Sequence, residues 1–418
     1  MRPTYRTVLA VGEFRVVFAA HLLSTLGTVV CEIALSVLVY RLTGSPLLSA
    51  LTFALGLLPY VAGGTVLSAV ADRLPARRVM VVCDLACAGC AAGLVVPGLP
   101  IAGLLLLRCL LAAVAPVFAG TRAAALADVF THPDVYPLGN SLLRVVSQGA
   151  QLGGFAAGGL LLAVVEPRTV LGLTVLTFLV SALIIGAGTR ARPPRADAEA
   201  GRSLLTASLG GARRLAARPR VRALLLLAWV PPMFVVVSEA LLTPYASSLG
   251  AGPAGLGLLM CGMPIGAIGG SLLAGTFLSA RARVAISAPV VLLATLPPLG
   301  YAARPSLLWA LLCQIGIGGG IVYTFGVDHW FLDAVPPVLR GRAMTLLTAG
   351  AMTSQGLGMT LAGVAAEFAP VHRVIATGGV AALLADALVL RYFRRTSDPH
   401  RVAGRARREP RTDAGPTP

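Results

Sequence analysis

Long apolar segments dominate this chain and leave very few folds open to it. Read as runs of about 18–25 mostly apolar residues, twelve such segments follow one another. Spans 1 to 12, as they are named here, lie at residues 16–39, 47–71, 79–97, 99–119, 141–165, 169–188, 221–246, 253–278, 284–302, 305–327, 343–366 and 373–392. The runs lack the alternation of a membrane β-barrel, and backbone groups in lipid must be hydrogen-bonded within the protein. The sequence therefore predicts an all-α membrane protein.

Composition and charge support this class and argue against a nucleic-acid binder. Hydrophobic residues make up 56% of the chain and charged residues 12%, about half the share in a soluble domain. The net charge is +17, and all 34 basic residues are arginines. Apart from Arg108, they lie in the connections, at the ends of spans or in the tail, rather than along a basic and aromatic surface stripe. We therefore expect a lipid bilayer, and no nucleic acid, as the partner of this chain.

The distribution of arginines predicts the orientation. With the N-terminus inside, the short inner connections and the N-terminal segment carry twelve arginines: residues 2, 6, 15, 73, 77, 78, 122, 144, 281, 283, 340 and 342. The outer connections carry four, at residues 41, 168, 304 and 373. Because arginines concentrate on the cytoplasmic side, we predict cytoplasmic N- and C-termini in a bacterial inner membrane.

A polar, arginine-rich stretch divides the spans six plus six. We predict a first six-helix half over 1–188, a cytoplasmic connecting loop over 189–220, a second half over 221–393 and a disordered tail over 394–418. The halves echo each other: Glu32 follows Arg15 by seventeen residues, and Glu239 follows Arg222 by seventeen. Such repeats are typical of transporters. The fold expected is two pseudo-symmetric six-helix bundles.

The inner connection between spans 2 and 3 carries the most specific motif. It reads Ser68-Ala-Val-Ala-Asp72-Arg73-Leu-Pro-Ala-Arg77-Arg78. It resembles the G-x-x-x-D-R-x-G-R-R loop of the major facilitator superfamily, with both glycines and one basic residue replaced. The connection before span 11, with Arg340-Gly341-Arg342, is similar to the P-x-x-x-R-G-R sequence common there. The resemblance implies that Asp72 latches against the start of span 11, with these arginines around it, in one alternating-access state. The alternative is an ordinary solvated turn.

Span 5 carries a second motif of the same superfamily. Its small residues Gly149-x3-Gly153-Gly154-x2-Ala157-Gly158-Gly159 resemble the antiporter sequence G-x3-G-P-x2-G-G, with Gly154 replacing proline and Ala157 one glycine. The resemblance favours the twelve-helix branch of drug and siderophore exporters that exchange substrate for protons. The alternative is that the glycines only allow close helix packing.

Three ionisable residues inside spans are the sharpest functional candidates, because charge in the membrane interior is costly. Arg108 on span 4 matches the intramembrane arginine of the superfamily. Glu32 lies about 12 Å below Tyr40, at nearly the depth of Arg108, and Glu239 lies about 9 Å below the end of its span. We hypothesise that Glu32, Arg108 and Glu239 border the central cavity and that one glutamate carries the coupling proton. The alternative is a static Glu32–Arg108 pair.

Other polar or adaptable residues on cavity-lining spans are candidates for substrate contact or for joining helices. They are Tyr60, Gln148, Gln151, Met260, Met263, Gln314, Tyr323 and Gln355. His21 lies about one turn inside the inner end of span 1, where we expect a locally hydrogen-bonded histidine, with a proton relay as the alternative. Asp84 and Asp386 lie about 8 Å from the inner face, where we expect them to support loops. Cys83, Cys87 and Cys90 share a helix face but lack histidine or carboxylate ligands at zinc spacing, so no metal or cofactor is expected.

These expectations combine into a secondary active transporter that exports small drug- or siderophore-like amphipathic molecules by alternating access, driven by proton antiport, and acts as a monomer. An uptake permease of the same fold is the main alternative. A sensor without transport activity is a weaker one. A membrane-embedded enzyme is disfavoured, because no H-E-x-x-H, G-x-S-x-G or P-loop motif occurs.

Overall fold

Helices account for every regular element in the part of the chain that the computed structural model describes, residues 5–60, 63, 74–130, 135–190, 217–303, 306–336 and 339–397. The first half contains α1 (Tyr5–Ala10), α2 (Gly12–Thr43), α3 (Pro46–Leu57), α4 (Ala76–Val95), α5 (Ile101–Val129), α6 (Val135–Val164) and α7 (Pro167–Gly188). The second contains α8 (Pro219–Ala240), α9 (Leu242–Ser248), α10 (Gly252–Phe277), α11 (Ala280–Ala294), α12 (Leu307–Gly319), α13 (Thr324–Ala334), α14 (Arg340–Phe368) and α15 (Val371–Ser397). The all-α class is confirmed.

Ten of the predicted spans coincide with segments that are long and apolar enough to cross a membrane, counted over the described residues. The other two, spans 2 and 11, fall on the short apolar helix α3 and on α14. The remainder of span 2 lies largely outside the described residues, as do most of the predicted connecting loop and the tail. The count of twelve, the domain boundaries and the cytoplasmic termini therefore stay predictions.

Three predicted spans are interrupted where the chain contains proline or clustered glycine. Span 7 divides into α8 and α9 at Leu241, because the ring of Pro244 removes one hydrogen-bond donor and crowds the carbonyl of Ala240. Span 9 continues beyond α11 as a 3₁₀ helix at Pro297–Ala303. Span 10 contains a 3₁₀ turn at Gly320–Tyr323, after a run of glycines. Periodicity alone did not reveal these breaks.

Serine side chains define where several helices begin. The hydroxyl of Ser45 accepts a hydrogen bond from the backbone N–H of Leu48, and proline follows it at the first helical position. Ser279 and Ser306 cap α11 and α12 in the same way. Each hydroxyl satisfies a backbone donor that the helix leaves open at its N-terminus.

The two halves meet mainly at two helix contacts: α3 packs on α14, and α6 packs on α10. Smaller contacts join α3 to α8, and both α2 and α3 to α9. The hydroxyl of Ser36 on α2 lies 3.1 Å from that of Ser49 and 2.5 Å from that of Thr243, so three helices share one buried hydroxyl cluster. These polar contacts need no water, which suits the interior of a membrane protein.

The backbones of the two halves come close together at two glycines. A methyl group built on Gly159 of α6 would lie 2.6 Å from the Cα of Gly257 on α10. At the same end of the bundle, a carboxylate oxygen of Glu367 accepts hydrogen bonds from the Ser45 hydroxyl and from the backbone N–H of Leu47. Both contacts lie toward the end that the arginines predict to be outer. The halves are therefore packed together at that end.

We predict that Gly159→Ala destabilises this packing, because the added methyl group must push the α6 and α10 backbones apart. Overpacking of this kind costs about 1–3 kcal/mol. The melting temperature of the purified protein in detergent measures it. Gly149→Ala is the matched control on the same helix, since nothing lies within 4 Å of a methyl group there. Equal melting temperatures for the two variants would contradict the close α6–α10 contact.

Candidate functional site

A buried ion pair lies where α2, α3 and α5 meet. The Nη2 atom of Arg108 is 2.6 Å from Oε1 of Glu32, with the Arg108 side chain 4% exposed and that of Glu32 21% exposed. The Nε–H group of Arg108 donates to the backbone carbonyl of Thr52, 3.0 Å away. Gly56 completes the site, because a Cβ atom there would meet the guanidinium group. The two charges that the sequence placed at similar depth are thus in direct contact.

Glu239 joins this pair from the second half. It lies at the end of α8, is partly buried, and is close enough to Glu32 for the two carboxyl groups to interact electrostatically. Among the described residues, no hydrogen bond or ion pair to the Glu239 side chain is found. The hydroxyl of its neighbour Ser238 donates to Oε1 of Gln314 at 3.2 Å. The three predicted charges therefore lie together at the junction of the halves, one pair neutralised and one carboxyl group without a counter-ion.

A cavity of about 310 Å³ extends from the ion pair into the first half. Its polar lining includes Glu32 and Arg108 at one end, Asp84 along its length, and His21 with Arg122 at the other. Apolar side chains such as Leu111, Phe118 and Phe178 form much of the remaining wall. A charged group at each end and a carboxyl group between them give this cavity a polar side next to the predicted site.

Asp84 and Arg122 lie in surroundings that differ from those predicted. Asp84 does not support a loop: its carboxylate contacts the hydroxyls of Ser24 on α2 and Ser181 on α7, at 3.2 and 2.6 Å. Arg122 does not lie in a connection, because α5 continues to Val129, ten residues past the predicted end of span 4. Its guanidinium group contacts the Nδ1 atom of His21. In the sequence, the only sign of these contacts was that both ionisable residues lie in or directly after an apolar run.

Most of the predicted substrate-contact residues lie away from this cavity. Gln314 is buried against Ser238, and Gln355 donates to the carbonyl of Ala351 on its own helix at 3.1 Å. Met260 and Tyr323 are buried in hydrophobic clusters. The other four are exposed or partly exposed: Tyr60, Gln148, Gln151 and Met263. The described lining of the cavity contains none of the eight. Their role in substrate contact stays a prediction.

The predicted latch is only partly described. Asp72 and Arg73 lie outside the described residues. Arg78 and Arg340 are exposed, and Arg342 falls in the first turn of α14. The guanidinium group of Arg77 donates to the backbone carbonyl of Gly186 and so joins α4 to α7 within the first half. The latch across the halves stays a prediction.

The small residues of span 5 pack α6 against α2. A methyl group on Gly154 would meet Val29 at 2.8 Å, and one on Gly158 would meet Ile33 at 2.7 Å. Gly149 and Gly153 have more space, with the nearest atom to the latter 3.8 Å away, on Leu26. Residues 153–158 of α6, about one and a half turns, therefore approach the helix that carries Glu32.

Sequence comparison identifies the family of this helical, two-part chain. A family model described as the Major Facilitator Superfamily matches residues 17–329. The chain belongs to the major facilitator superfamily. Its fold and membership make it a multi-pass membrane transporter rather than an enzyme. No curated protein matches the chain in sequence.

Solved structures with the same fold include several transporters at low sequence identity. A crystal structure of the peptide transporter POT in complex with sulfate superposes with a TM-score of 0.69 at 14% identity, covering 94% of this chain and 99% of that one. A POT family transporter in complex with 5-aminolevulinic acid superposes with a TM-score of 0.66 at 12% identity, covering 92% and 96%. At this identity, the likeness extends to the fold alone.

We predict that Arg108→Gln is strongly destabilising, because it leaves the Glu32 carboxylate without its counter-ion and Thr52 without its donor. Breaking a buried pair costs about 3 kcal/mol. The double variant Glu32→Gln/Arg108→Gln should recover much of the loss in melting temperature, since it leaves no unpaired charge. If the single and double variants melt alike, Glu32 and Arg108 do not stabilise each other in the folded protein.

Proposed function

We propose that this transporter exports small amphipathic molecules, such as drug-like compounds or siderophores, from the cytoplasm of a bacterium in exchange for protons. The observation that carries the proposal is the group formed by Glu32, Arg108 and Glu239 at the junction of the two halves. Alternating access requires the halves to move relative to each other. Ionisable groups at their junction then change surroundings during transport, and a carboxyl group can bind and release a proton as they do.

Glu239 is the better of the two candidates for the coupling proton. Glu32 is already neutralised by Arg108 at 2.6 Å, so adding a proton to it would weaken an existing ion pair. Glu239 has no such partner among the described residues. A carboxyl group without a counter-ion is less costly to bury when it carries a proton. Protonation of Glu239 would then change its electrostatic interaction with Glu32 across the junction.

The contacts between the halves support a conformation that is closed at the predicted outer end. The Gly159–Gly257 approach and the Glu367 hydrogen bonds lie there. We propose that this is the cytoplasm-facing state, in which an exporter loads its substrate. When the inner ends of the halves move between the two states, the predicted contact between Asp72 and the start of span 11 would form or break.

The span 5 glycines bear on the direction of transport, whereas the neighbouring structures bear on proton coupling. Export rests on the partial antiporter motif of span 5, whose glycines pack on α2 and α10. The structural neighbours include one described as a proton dependent oligopeptide transporter, which agrees with proton coupling as a class of mechanism. Proton-coupled uptake by the same fold is the alternative, and a direct measurement of direction separates the two.

We predict that Glu239→Gln abolishes proton-coupled transport while substrate exchange in the absence of a pH gradient continues. Glutamine keeps the size of the side chain but cannot exchange a proton. Substrate uptake into proteoliposomes, with and without a pH gradient, measures both activities. Glu166→Gln, which changes an exposed residue at the start of α7, is the matched control. Glu32→Gln should lower coupling as well. Unchanged pH-driven transport in both variants would refute the proposed coupling site.

Export and uptake give opposite results in energised inside-out vesicles. We predict that adding an amphipathic substrate outside such vesicles releases protons from their lumen, because an antiporter would carry substrate inward in exchange for protons. A fluorescent dye that reports the pH gradient records this. Substrates come from a drug and siderophore susceptibility screen of a strain lacking the gene, repeated with an uncoupler. Proton release only when substrate is loaded in the lumen would establish uptake instead.

A further inference from the structure

One face of α2 is polar over residues 21–32, inside the first half. His21, Ser24, Thr28 and Glu32 recur at intervals of three or four residues, so they lie on one side of the helix. All four line the 310 Å³ cavity, together with Asp84 of α4. From His21 to Glu32 the helix rises about 16 Å. A polar, partly hollow track therefore connects the inner part of the first half with the Glu32–Arg108 pair.

The hydrogen bonds at the inner end of the track determine the form of His21. The Arg122 guanidinium group can only donate, so Nδ1 of His21 accepts its hydrogen bond. The hydrogen on the imidazole then lies on Nε2, which donates to the hydroxyl of Ser147 at 2.8 Å. Ser147 donates in turn to the carbonyl of Leu143 at 2.9 Å. His21 is therefore neutral here. Its Nδ1 atom, at which the imidazole would accept a second proton, is occupied by the hydrogen bond from Arg122.

The hydrogen bonds around Asp84 fit a protonated carboxyl group. The Ser181 oxygen lies 2.6 Å from Oδ2 of Asp84 and 3.1 Å from the carbonyl oxygen of Ala20. A serine hydroxyl has one hydrogen and cannot serve both acceptors fully. With a proton on Oδ2, Asp84 donates to Ser181 and Ser181 donates to Ala20. Ser24 still donates to Oδ1 at 3.2 Å. Asp84 is 1% exposed, and a neutral acid is the less costly form in the membrane interior.

Every element packed around Asp84 contributes to its surroundings. Helix α2 brings His21 and Glu32, and α5 brings Arg108 and Arg122, all along the cavity. Helix α7 brings the Ser181 hydroxyl, and the neighbours Cys83 and Cys87 lie on α4 itself. The two arginines are each paired, one with Glu32 and one with His21. Asp84 is therefore the group in this space that can store a proton.

We propose that the cavity is a hydrated proton path in the first half, in which Asp84 stores a proton and exchanges it with Glu32. The proposal rests on the proton coupling proposed above and supplies its route. Asp84 releases its proton to the inner side, past His21 and Arg122. A proton that Glu32 receives from Glu239 then passes along a chain of water molecules to the Asp84 carboxylate, whose partner Ser24 lies roughly 12 Å from Glu32 along α2. Charge and atoms are conserved, and no other reactant is needed.

Infrared spectroscopy of the purified protein tests this without a substrate. We predict that wild type shows the carbonyl stretch of neutral carboxylic acids, that Asp84→Asn removes a component of this band that Glu239→Gln leaves in place, and that Glu166→Gln retains the whole band. After transfer to D₂O, the band should shift within minutes, because water in the cavity exchanges the proton. A wild-type spectrum without the band, or an unchanged Asp84→Asn spectrum, refutes proton storage. A band that does not shift in D₂O refutes the hydrated path. If Asp84→Asn does not fold, Ser181→Ala should move the band by removing its hydrogen bond.

A transport measurement separates failure of the path from failure of the proposed function. Asp84→Asn should slow pH-driven transport by at least about tenfold and leave substrate exchange without a pH gradient unchanged. If Asp84→Asn transports normally while Glu239→Gln is uncoupled, the coupling site stands and the path is wrong. If neither variant changes pH-driven transport, the proton-coupled function itself is wrong, whatever the infrared result.

Discussion

The need to neutralise charge inside a membrane governs this structure. An isolated ionised side chain in the bilayer centre costs several kcal/mol, so each must have a partner or water. Arg108 meets this need with the Glu32 carboxylate and the Thr52 carbonyl, and the three groups fix how α2, α3 and α5 are placed. Gly56 has no side chain and so leaves room for the guanidinium group. The site is therefore a consequence of how these helices pack.

Packing between the halves follows a different rule, because lipid supplies no hydrophobic force that drives helices together. Instead, small residues that allow close packing and hydroxyls that hydrogen-bond across helices hold the halves together. Gly159 and Gly257 let two backbones touch, and Ser36, Ser49 and Thr243 form one cluster across three helices. Neither contact involves a charged side chain. Contacts of this kind can separate and reform at modest cost, which suits an interface that opens during alternating access.

The sequence predicted the fold well because long apolar runs and arginine placement act over many residues. It placed Glu32 and Arg108 at similar depth, since depth along a helix follows from residue counting, and left their contact open as one possibility. It could not place Asp84, because its partners Ser24 and Ser181 come from helices whose relative rotation depends on packing. The same reason explains why Gln355 bonds to its own helix although it was a cavity candidate. The division of span 7 at Leu241 could have been anticipated from Pro244.

The pseudo-symmetry of the halves explains why Glu239 lacks a counter-ion. Glu239 follows Glu32 by 207 residues (239 − 32), and Gln314 follows Arg108 by 206 (314 − 108). Gln314 thus occupies, on the second half, the position that Arg108 occupies on the first. It is buried and accepts a hydrogen bond from Ser238, but it brings no positive charge. One duplicated site has therefore become an ion pair and its counterpart a neutral pocket beside an acid. In the proposed mechanism, the charge pair holds one half together between proton transfers, whereas an acid whose charge depends on a bound proton can differ between the two states of the transporter.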